Sequence, residues 1–321
     1  LLYNSKKQPN GGKQMKDYLE SFLKICAFPT DAAESLLGDL DKICAARSAL
    51  AVFEECVDEY KRSIDIDFVT LHDRCGEAAE SAGVHKYAGN LIIYCLWTEH
   101  LKELYKEKGY DDTVWLDSVT DLRTKAIECK KKYGVWGTFV GGWLPQYFSL
   151  ERFALGRLQF EIMDFFASHE TYTKFGVELV PDTSKAAAMH IPATGPLTRD
   201  KVLDSYKKAY AFFEKYFPFC LQNGILCGQC FSWLLYGPVR NILPPDSNSR
   251  DFIRDFDVVY DYDDPDYKDC WRIFNVDWTG DASLLPRDTS MQRRYADHLA
   301  AGGTGGRGAG VMLFDGENVL T

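Results

Sequence analysis

The sequence has no long apolar run, no block of basic residues and no signal-like start, and each absence bears on the class of protein that we expect. A membrane-spanning helix needs roughly 18 consecutive apolar residues, which occur nowhere in the chain. Acidic residues outnumber basic ones and give a formal net charge of -10, so neither nucleic acid nor a membrane is an expected partner. The polar segment 1–16 lacks the features of a signal peptide, and we expect a cytoplasmic protein.

Cysteine is present, with ten residues, but its spacing does not repeat. A chain of 321 residues can bury a sizeable core without a disulfide framework. We therefore predict that most of the thiols are free and buried, as in a reducing compartment. Cys227 and Cys230 form a C-x-x-C pattern, but no second pair follows at zinc-ligand spacing, so no metal site is predicted.

Motifs of common enzyme classes are also scarce. No G-x-S-x-G elbow occurs, and the six histidines mark no triad. The run Gly303–Gly308 satisfies G-x-G-x-x-G, but it follows a predicted helix and precedes a strand, the reverse of the order in dinucleotide-binding proteins. The acidic run Asp261–Asp264 is followed by Pro265 and more acids, which favours a solvated loop over a cation site.

Apolar residues recur at helical spacing through the first part of the chain. We predict a loose tail at residues 1–14 and an all-α domain at residues 15–140. Gly83, Gly109 and Gly134 are predicted to end helices, because glycine is favoured at helix C-termini. The predicted helices are 13–27, 31–61, 67–81, 87–108 and 112–133.

The composition changes near residues 133–146, where glycine and aromatic residues replace the helical period. We predict that residues 141–321 form a mixed sheet with helices packed on it, which makes the chain an α+β protein. The predicted strands are 153–164, 174–180, 186–191, 225–235, 256–262, 271–277 and 311–314, the last at an edge. The predicted helices are 202–217, 248–256 and 290–299.

The segment 186–217 contains a strand, a loop and a helix in that order. Pro192 ends the strand because it has no N–H, and Gly195 with the proline after it is typical of a turn. Thr198 or Asp200 can cap the helix. Unpaired N–H groups at such a helix N-terminus form a site for an anion such as phosphate, although an ordinary strand-to-helix connection has the same local pattern.

Polar residues lie on several predicted strands next to residues of an apolar face: Gln159, Glu161, His190 and Ser232. Adjacent strands can bring such side chains together. Buried polar groups need hydrogen-bond partners, so the pattern fits a satisfied network in the core as well as a functional site. The residues alone leave these two interpretations open.

Several blocks of sequence, taken in order, resemble one family. The blocks are Phe153–Glu161, Met189–Leu197, Phe231–Leu235, Ser247–Asn248 and Leu285–Arg293. They resemble the bacterial acyltransferase-domain family, which joins a helical N-acyltransferase N-terminal domain to a GNAT-like C-terminal domain. The resemblance covers most of residues 150–310, whereas the helical half is similar in character and length. It implies the acyl-CoA N-acyltransferase fold for the second domain.

The resemblance implies that the loop after residue 190 holds the pyrophosphate of coenzyme A. The residues that it assigns to cofactor binding are Ile191, Pro192, Gly195, Pro196, Leu197, Thr198, Arg199 and Lys201. In the wider superfamily this loop usually contains Gly-x-Gly or Gly-x-Ala, whereas here one glycine is followed by Pro196, which has no N–H to donate. We therefore expect the helix N-terminus to contribute more to phosphate binding than it does in the wider superfamily.

The same resemblance implies transfer of an acyl group, with acetyl expected, from acyl-CoA to an amine of a small molecule or peptide. The amine attacks the thioester directly, so a base must take its proton and a donor must protonate the thiolate. Glu161 or His190 is the candidate base, and Ser232 or Tyr236 is the candidate donor. The backbone N–H of Ile191 is the expected donor to the thioester carbonyl.

Two other functions remain open from the sequence. A non-catalytic protein with the same sheet would bind acyl-CoA or another small molecule as a sensor, and the unusual Gly-Pro loop favours this alternative slightly. A scaffold whose helical half binds another protein would expose a contiguous apolar stripe on one helix. Turnover separates the enzyme from the sensor, since both would bind coenzyme A.

Overall fold

The computed structural model describes residues 11–321, which fold as two compact units that divide after Glu151. The first unit contains helices and no strand among its described residues, and the second contains a mixed sheet with helices. The predicted α+β class, with an all-α part before a mixed α/β part, is confirmed.

The first unit is built mostly from amphipathic helices, and several of them have defined caps. The Asp67 carboxylate accepts the Thr70 N–H at 3.0 Å where the fourth helix begins, and Gly109 ends the fifth with a φ of 72°. The helices are α1 (Gly11–Ile25), α2 (Thr30–Ala45), α3 (Arg47–Arg62), α4 (Phe68–Ser81), α5 (Lys86–Lys108), α6 (Asp112–Val119), α7 (Asp121–Tyr133) and α8 (Pro145–Phe148).

Three predictions for the helical part were wrong in detail. Residues 11–14, predicted as part of a tail, form the first turn of α1, and the rest of that tail lies outside the described residues. The predicted helix 31–61 is interrupted at Ala46, which has an extended backbone with ψ of 97°. The predicted helix 112–133 is interrupted at Thr120. Apolar residues keep their period across both interruptions, so the pattern does not reveal them.

Helix α5 lies at the centre of the first unit, and residues 141–151 pack against it and belong to the same unit. The hydroxyl of Tyr94, on α5, donates to the Gly141 carbonyl at 2.8 Å. Tyr60 donates to the Phe148 carbonyl at 2.8 Å, and the Phe148 ring packs beside Trp97. The units therefore divide after Glu151 rather than after residue 140. The composition changes near residue 140, but the aromatic contacts of the next ten residues keep them in the helical unit.

The second unit contains a sheet in the order β1-β2-β5-β7-β9-β8, with β6 paired to β7. All pairs are antiparallel except β5 with β7. A separate two-stranded sheet pairs β3 with β4. The strands are β1 (Arg152–Leu155), β2 (Leu158–Asp164), β3 (Tyr172–Lys174), β4 (Val177–Leu179), β5 (Lys185–His190), β6 (Leu221–Gln222), β7 (Ile225–Ser232), β8 (Asp257–Asp264) and β9 (Gly305–Phe314).

Several strand predictions were wrong for local reasons. The predicted strand 153–164 is the hairpin β1–β2, which turns at Gly156 with a φ of 78°. The predicted strand 174–180 is likewise split, because Phe175 and Gly176 both have positive φ between β3 and β4. The acidic run Asp261–Asp264 belongs to β8 rather than to a loop.

The C-terminal third differs most from the prediction. Residues 271–277 form no strand, since Cys270, Ile273 and Phe274 bury one side of a short helix, α12 (Cys270–Phe274). Strand β9 lies between β7 and β8, not at an edge, and it starts at Gly305. The run Gly303–Gly308 therefore leads into a central strand, and a Cβ on Gly306 would lie 2.5 Å from the Tyr236 ring.

Helices of the second unit pack on this sheet. Phe213 on the helix after β5 meets Phe160 of β2 with ring centroids 6.3 Å apart. Ser247 caps one predicted helix, and Thr289 caps another in a capping box with Gln292, as the sequence indicated. The remaining helices are α9 (Arg199–Tyr216), α10 (Gly237–Ile242), α11 (Asn248–Ile253) and α13 (Ser290–Ala300).

The cysteines agree with the sequence-based expectation of free, buried thiols. All ten cysteines are free, and all are buried except the half-buried Cys44. Within residues 11–321, no helix combines the length and apolar character that crossing a membrane requires. The described part of the chain also contains no cluster of three or more histidine, cysteine or acidic side chains arranged to hold a metal ion.

Candidate active site

The parallel strands β5 and β7 separate at their carboxyl ends. They pair only at Ala187 with Gly228 and at Ala188 with Gln229. Beyond that point β5 continues to pair with β2 as far as His190, and β7 continues to pair with β9 as far as Ser232. The two strands thus have no ladder between them over their last residues. A crevice at the carboxyl ends of parallel strands is a common ligand site in α/β sheets.

Three side chains from neighbouring strands form a hydrogen-bonded chain next to the point where β5 and β7 stop pairing. Arg152 of β1 donates from Nε to Oε2 of Glu161 on β2 at 2.8 Å, and its Nη2 bonds the same oxygen. Nε2 of His190, the last residue of β5, lies 2.9 Å from that oxygen. The side chains of Arg152, Glu161 and His190 are 3%, 8% and 20% exposed. Two predicted site residues, Glu161 and His190, are therefore in direct contact.

The pKa of Glu161 lies below its ordinary value. Burial alone would raise that pKa, but the hydrogen bond from His190 and the positive charge of Arg152 outweigh the burial. The carboxyl group is therefore ionised near neutral pH. A carboxylate accepts hydrogen bonds and donates none, so the proton between the two residues belongs to Nε2 of His190.

The pKa of His190 lies below its ordinary value of 6.5. Burial lowers it first, the hydrogen bond to Glu161 acts in the opposite direction, and the charges of Arg152 and Arg272 lower it further. The ring is therefore neutral near pH 7, with its proton on Nε2. Nδ1 then carries the lone pair, and that atom is the proton acceptor of the pair.

The loop predicted to hold pyrophosphate is exposed from residue 193 to residue 196. Gly195 has a φ of 114°, and a Cβ built there would meet no atom within 4 Å. Arg157, in the β1–β2 turn, donates to the Gly195 carbonyl at 2.6 Å and to the Pro196 carbonyl at 3.4 Å. Leu197 is buried, and Ile191 and Pro192 are half-buried. The space next to Gly195 is therefore open, and Arg157 of the β1–β2 turn fixes the loop through two backbone carbonyls.

The N-terminus of α9 carries the other predicted cofactor-binding residues. Thr198 is the N-cap residue, although its side chain makes no capping hydrogen bond. Nη1 of Arg199 donates to both carboxylate oxygens of the buried Asp255, at 2.7 and 2.6 Å. The Lys201 side chain is exposed. The structure therefore brings Thr198 and Lys201 to the helix N-terminus, while the Arg199 guanidinium is already engaged by a carboxylate.

Asp200 places a carboxylate at the same helix N-terminus. Its pKa is lowered chiefly by the nearby Thr198 side chain and also by the backbone N–H groups of Lys201 and Asp200. These N–H groups are the donors that a phosphate would use at a helix N-terminus. An incoming phosphate must therefore displace the Asp200 carboxylate or bind beside it.

Ser232 is the last residue of β7, and Tyr236 follows it after one turn of helix. The Ser232 hydroxyl oxygen accepts the Leu234 N–H at 3.2 Å. The buried Tyr236 hydroxyl bonds Asp263 and lies 2.8 Å from the Thr304 hydroxyl. Burial and the Asp263 hydrogen bond both raise the pKa of Tyr236.

Sequence reasoning missed three residues of this region: Arg152, Arg157 and Asp255. Arg152 stands one position before the strand that was predicted, and strand register alone places it opposite Glu161. Arg157 stands in a turn that the sequence did not reveal, because the hairpin was predicted as one strand. Asp255 lies 56 positions from its partner Arg199, and no local pattern signals such a pair.

Two family models match the chain. The N-acyltransferase N-terminal domain matches residues 17–150, and the GNAT-like C-terminal domain matches residues 153–312. No curated protein matches the sequence.

Similar folds occur among solved structures. An acyltransferase in complex with decanoyl-CoA and teicoplanin has a TM-score of 0.72 and 19% identity, and the alignment covers 93% of this chain and 88% of that one. A mutant acyltransferase in complex with octanoyl-CoA has a TM-score of 0.70 and 19% identity, with coverage of 92% and 87%. At this identity, the likeness concerns the fold.

Proposed function

Because this chain belongs to the family that joins an N-acyltransferase N-terminal domain to a GNAT-like C-terminal domain, and is thus an acyltransferase of GNAT type, we propose that it transfers an acyl group from coenzyme A to an amine. The observation that carries the proposal is the 2.9 Å contact between Nε2 of His190 and Glu161, next to the point where β5 and β7 stop pairing; burial also lowers the pKa of His190. His190 provides a proton acceptor at the carboxyl end of a parallel strand.

Coenzyme A is proposed to lie with its pyrophosphate over the loop at Gly195. The absence of any atom within 4 Å of a Cβ on Gly195 supports this position, since a ligand needs that space. The N-terminus of the 18-residue helix α9 adds unpaired N–H groups and a partial positive charge. Of the residues assigned to this role, we retain Ile191, Pro192, Gly195, Pro196, Leu197, Thr198 and Lys201, and give Arg199 a supporting role through Asp255.

His190 is the proposed base, with Glu161 as its positioning partner. The amine nitrogen attacks the thioester carbonyl carbon, and Nδ1 of His190 takes the proton that the nitrogen loses, directly or through water. The resulting imidazolium is stabilised by the Glu161 carboxylate at 2.9 Å. Glu161 itself is a weak base, because its pKa is lowered and Arg152 already donates to it.

The remaining groups act on the carbonyl and the thiolate. We propose that the Ile191 N–H donates to the carbonyl oxygen, which becomes an oxyanion as the C–N bond forms. When the carbon–sulfur bond breaks, the electron pair leaves with sulfur. The Ser232 hydroxyl passes its proton to the thiolate and takes one from water, and the proton that His190 then releases neutralises the hydroxide, so free coenzyme A leaves and both side chains return to their starting state. Ser232 is favoured over Tyr236, whose hydroxyl is engaged with Asp263 and Thr304.

The acyl group and the acceptor are further parts of the proposal. The sequence gives acetyl as the expected acyl group, whereas the similar folds were solved with octanoyl- and decanoyl-CoA. The acceptor is proposed to be an amine of a small molecule or peptide, and teicoplanin in one of those structures is a small-molecule example. A cytoplasmic location is supported by ten free thiols.

Thiol release tests this function. The protein is incubated with acetyl-, octanoyl- or decanoyl-CoA and a panel of amines, and free coenzyme A is measured with a thiol reagent. Release that depends on the amine supports an N-acyltransferase, and the donor series identifies the acyl length.

Calorimetry with coenzyme A separates the alternatives. Binding without release from any donor would instead favour the sensor. Absence of binding at millimolar coenzyme A would contradict both functions.

A further inference from the structure

The β1–β2 turn is fastened to helix α9. Ser205, which is fully buried on α9, accepts the N–H of Arg157 at 2.6 Å and that of Leu158 at 3.2 Å. Gly156 gives the turn its positive φ, and a Cβ there would come within 2.7 Å of the Ser205 hydroxyl. The backbone of Arg157 is therefore fixed relative to the helix whose N-terminus lies beside the loop 191–198.

The Arg157 side chain extends from this fixed turn to the loop. It donates to the Gly195 carbonyl at 2.6 Å and to the Pro196 carbonyl at 3.4 Å. The described peptide bonds are all trans, and in a trans peptide the carbonyl and the following N–H point in opposite directions. Because the Pro196 carbonyl faces Arg157, the N–H of Leu197 faces away from it. Arg157 thus sets the direction of the first N–H that follows Pro196.

Arg157 also brings a positive charge that no described carboxylate neutralises. Arg152, Arg199 and Arg272 each pair with an acidic side chain. Residues 11–321 contain no such partner for Arg157, and its buried Nη1 has no hydrogen-bond partner there. Burial lowers the pKa of Arg157, yet a guanidinium stays protonated in proteins. An uncompensated cation under an exposed loop attracts an anion to that loop.

We propose that Arg157 is a positioning residue for the phosphate groups of the acyl donor, acting through the carbonyls of Gly195 and Pro196. The inference rests on the proposed function and extends it to a residue outside the loop itself. Two features of the site disfavour phosphate binding: Pro196 offers no N–H, and Asp200 brings a negative charge. Arg157 orients the next donor and adds a positive charge to the loop.

The test compares donors with and without phosphate. Arg157→Gln is expected to raise the KM for acyl-CoA about tenfold or more and to change kcat less than threefold. An acyl-pantetheine, which has the same thioester and no phosphate, should show the same KM with both proteins. Arg157→Lys keeps the charge but loses the two-pronged guanidinium that reaches both carbonyls. Its KM for acyl-CoA should therefore lie between those of the wild type and Arg157→Gln.

Arg293→Gln is the matched control, because Arg293 also donates to two consecutive backbone carbonyls, at 2.9 and 2.8 Å. It should leave both KM values unchanged. An equal rise in KM for acyl-CoA and acyl-pantetheine in Arg157→Gln would show a merely structural role and overturn the inference. Unchanged KM for acyl-CoA would overturn it as well.

Calorimetry with coenzyme A and with inorganic pyrophosphate needs no turnover and separates this inference from the proposed function. Pyrophosphate binding that Arg157→Gln weakens, in a protein that releases no thiol, would support the inference and contradict the transferase. Pyrophosphate binding of equal strength in both proteins would overturn the inference alone. A wild-type protein that binds neither ligand would overturn both.

Discussion

Nε2 of His190 lies 2.9 Å from Oε2 of Glu161, although the two residues are not directly opposite each other in the sheet. The register pairs His190 with Gln159 and Glu161 with Ala188, so the contact is a diagonal one on a single face. Long side chains reach across such diagonals. Arg152 lies opposite Glu161 on the other side, and the carboxylate is therefore held from two strands.

His190→Gln should lower kcat by about 100-fold or more, the size expected for loss of a general base. In the wild type, kcat/KM should rise with pH through the pKa of His190, which lies below 6.5, because only the neutral ring accepts a proton. In the variant, the rise of kcat/KM at acidic pH that His190 causes should disappear. The rise at higher pH, which comes from deprotonation of the acceptor amine, should remain. An unaltered pH profile would mean that another group takes the proton.

Glu161→Gln should reduce the free energy of unfolding by about 3 kcal/mol or more, since it removes the carboxylate from the buried Arg152. Urea denaturation measures the loss. Arg152→Gln combined with Glu161→Gln should cost less than the sum of the single changes, because neither charge remains. Strict additivity would mean that the two side chains do not stabilise each other.

Gly195→Ala should weaken coenzyme A binding and also cost about 1–2 kcal/mol of stability, because a φ of 114° strains any residue with a side chain. Gly224→Ala is the control. Gly224 also has a positive φ of 74° and open space around a Cβ, and it lies in the turn before β7. It should lose comparable stability with unchanged coenzyme A affinity. Equal effects on affinity would place the phosphates elsewhere.

Ser232→Ala should slow transfer from thioesters with poor leaving groups, whereas Tyr236→Phe should change kcat less than about threefold. Tyr236→Phe should instead destabilise the protein by about 1 kcal/mol, since the hydroxyl bonds Asp263 and Thr304. Acyl-CoA analogues that differ in thiol pKa provide the measurement. A larger kinetic effect at Tyr236 than at Ser232 would reverse the assignment.

The sequence predicts an element well where that element carries its own apolar spacing and its own end signals. The helix α5, the strand β5 and the cap at Thr289 all follow from local spacing and capping residues. Prediction from the sequence fails where two consecutive elements continue the same apolar spacing, because the break between them leaves no signal. The turn at Gly156 and the interruption at Ala46 are both hidden in this way, because packing partners far along the chain decide them.

The candidate site is predictable in part for the same reason. Glu161 and His190 are visible as polar residues on apolar strands, and Gly195 is visible in a turn. Their mutual distance depends on strand register, which local pattern does not fix. Arg157 and Asp200 affect the loop through contacts that arise only in the folded chain, so their effects on phosphate binding could not be read from residue types.

Strand β9 has a consequence for how the second unit folds during synthesis. Residues 305–314 are the last strand in chain order, yet they lie between β7 and β8. Until the ribosome has released these residues, β8 has no strand to pair with, and one edge of β7 stays open. The unit therefore completes its sheet only after translation has passed residue 314. Before that point, a nascent chain presents a hydrophobic edge that a chaperone can cover.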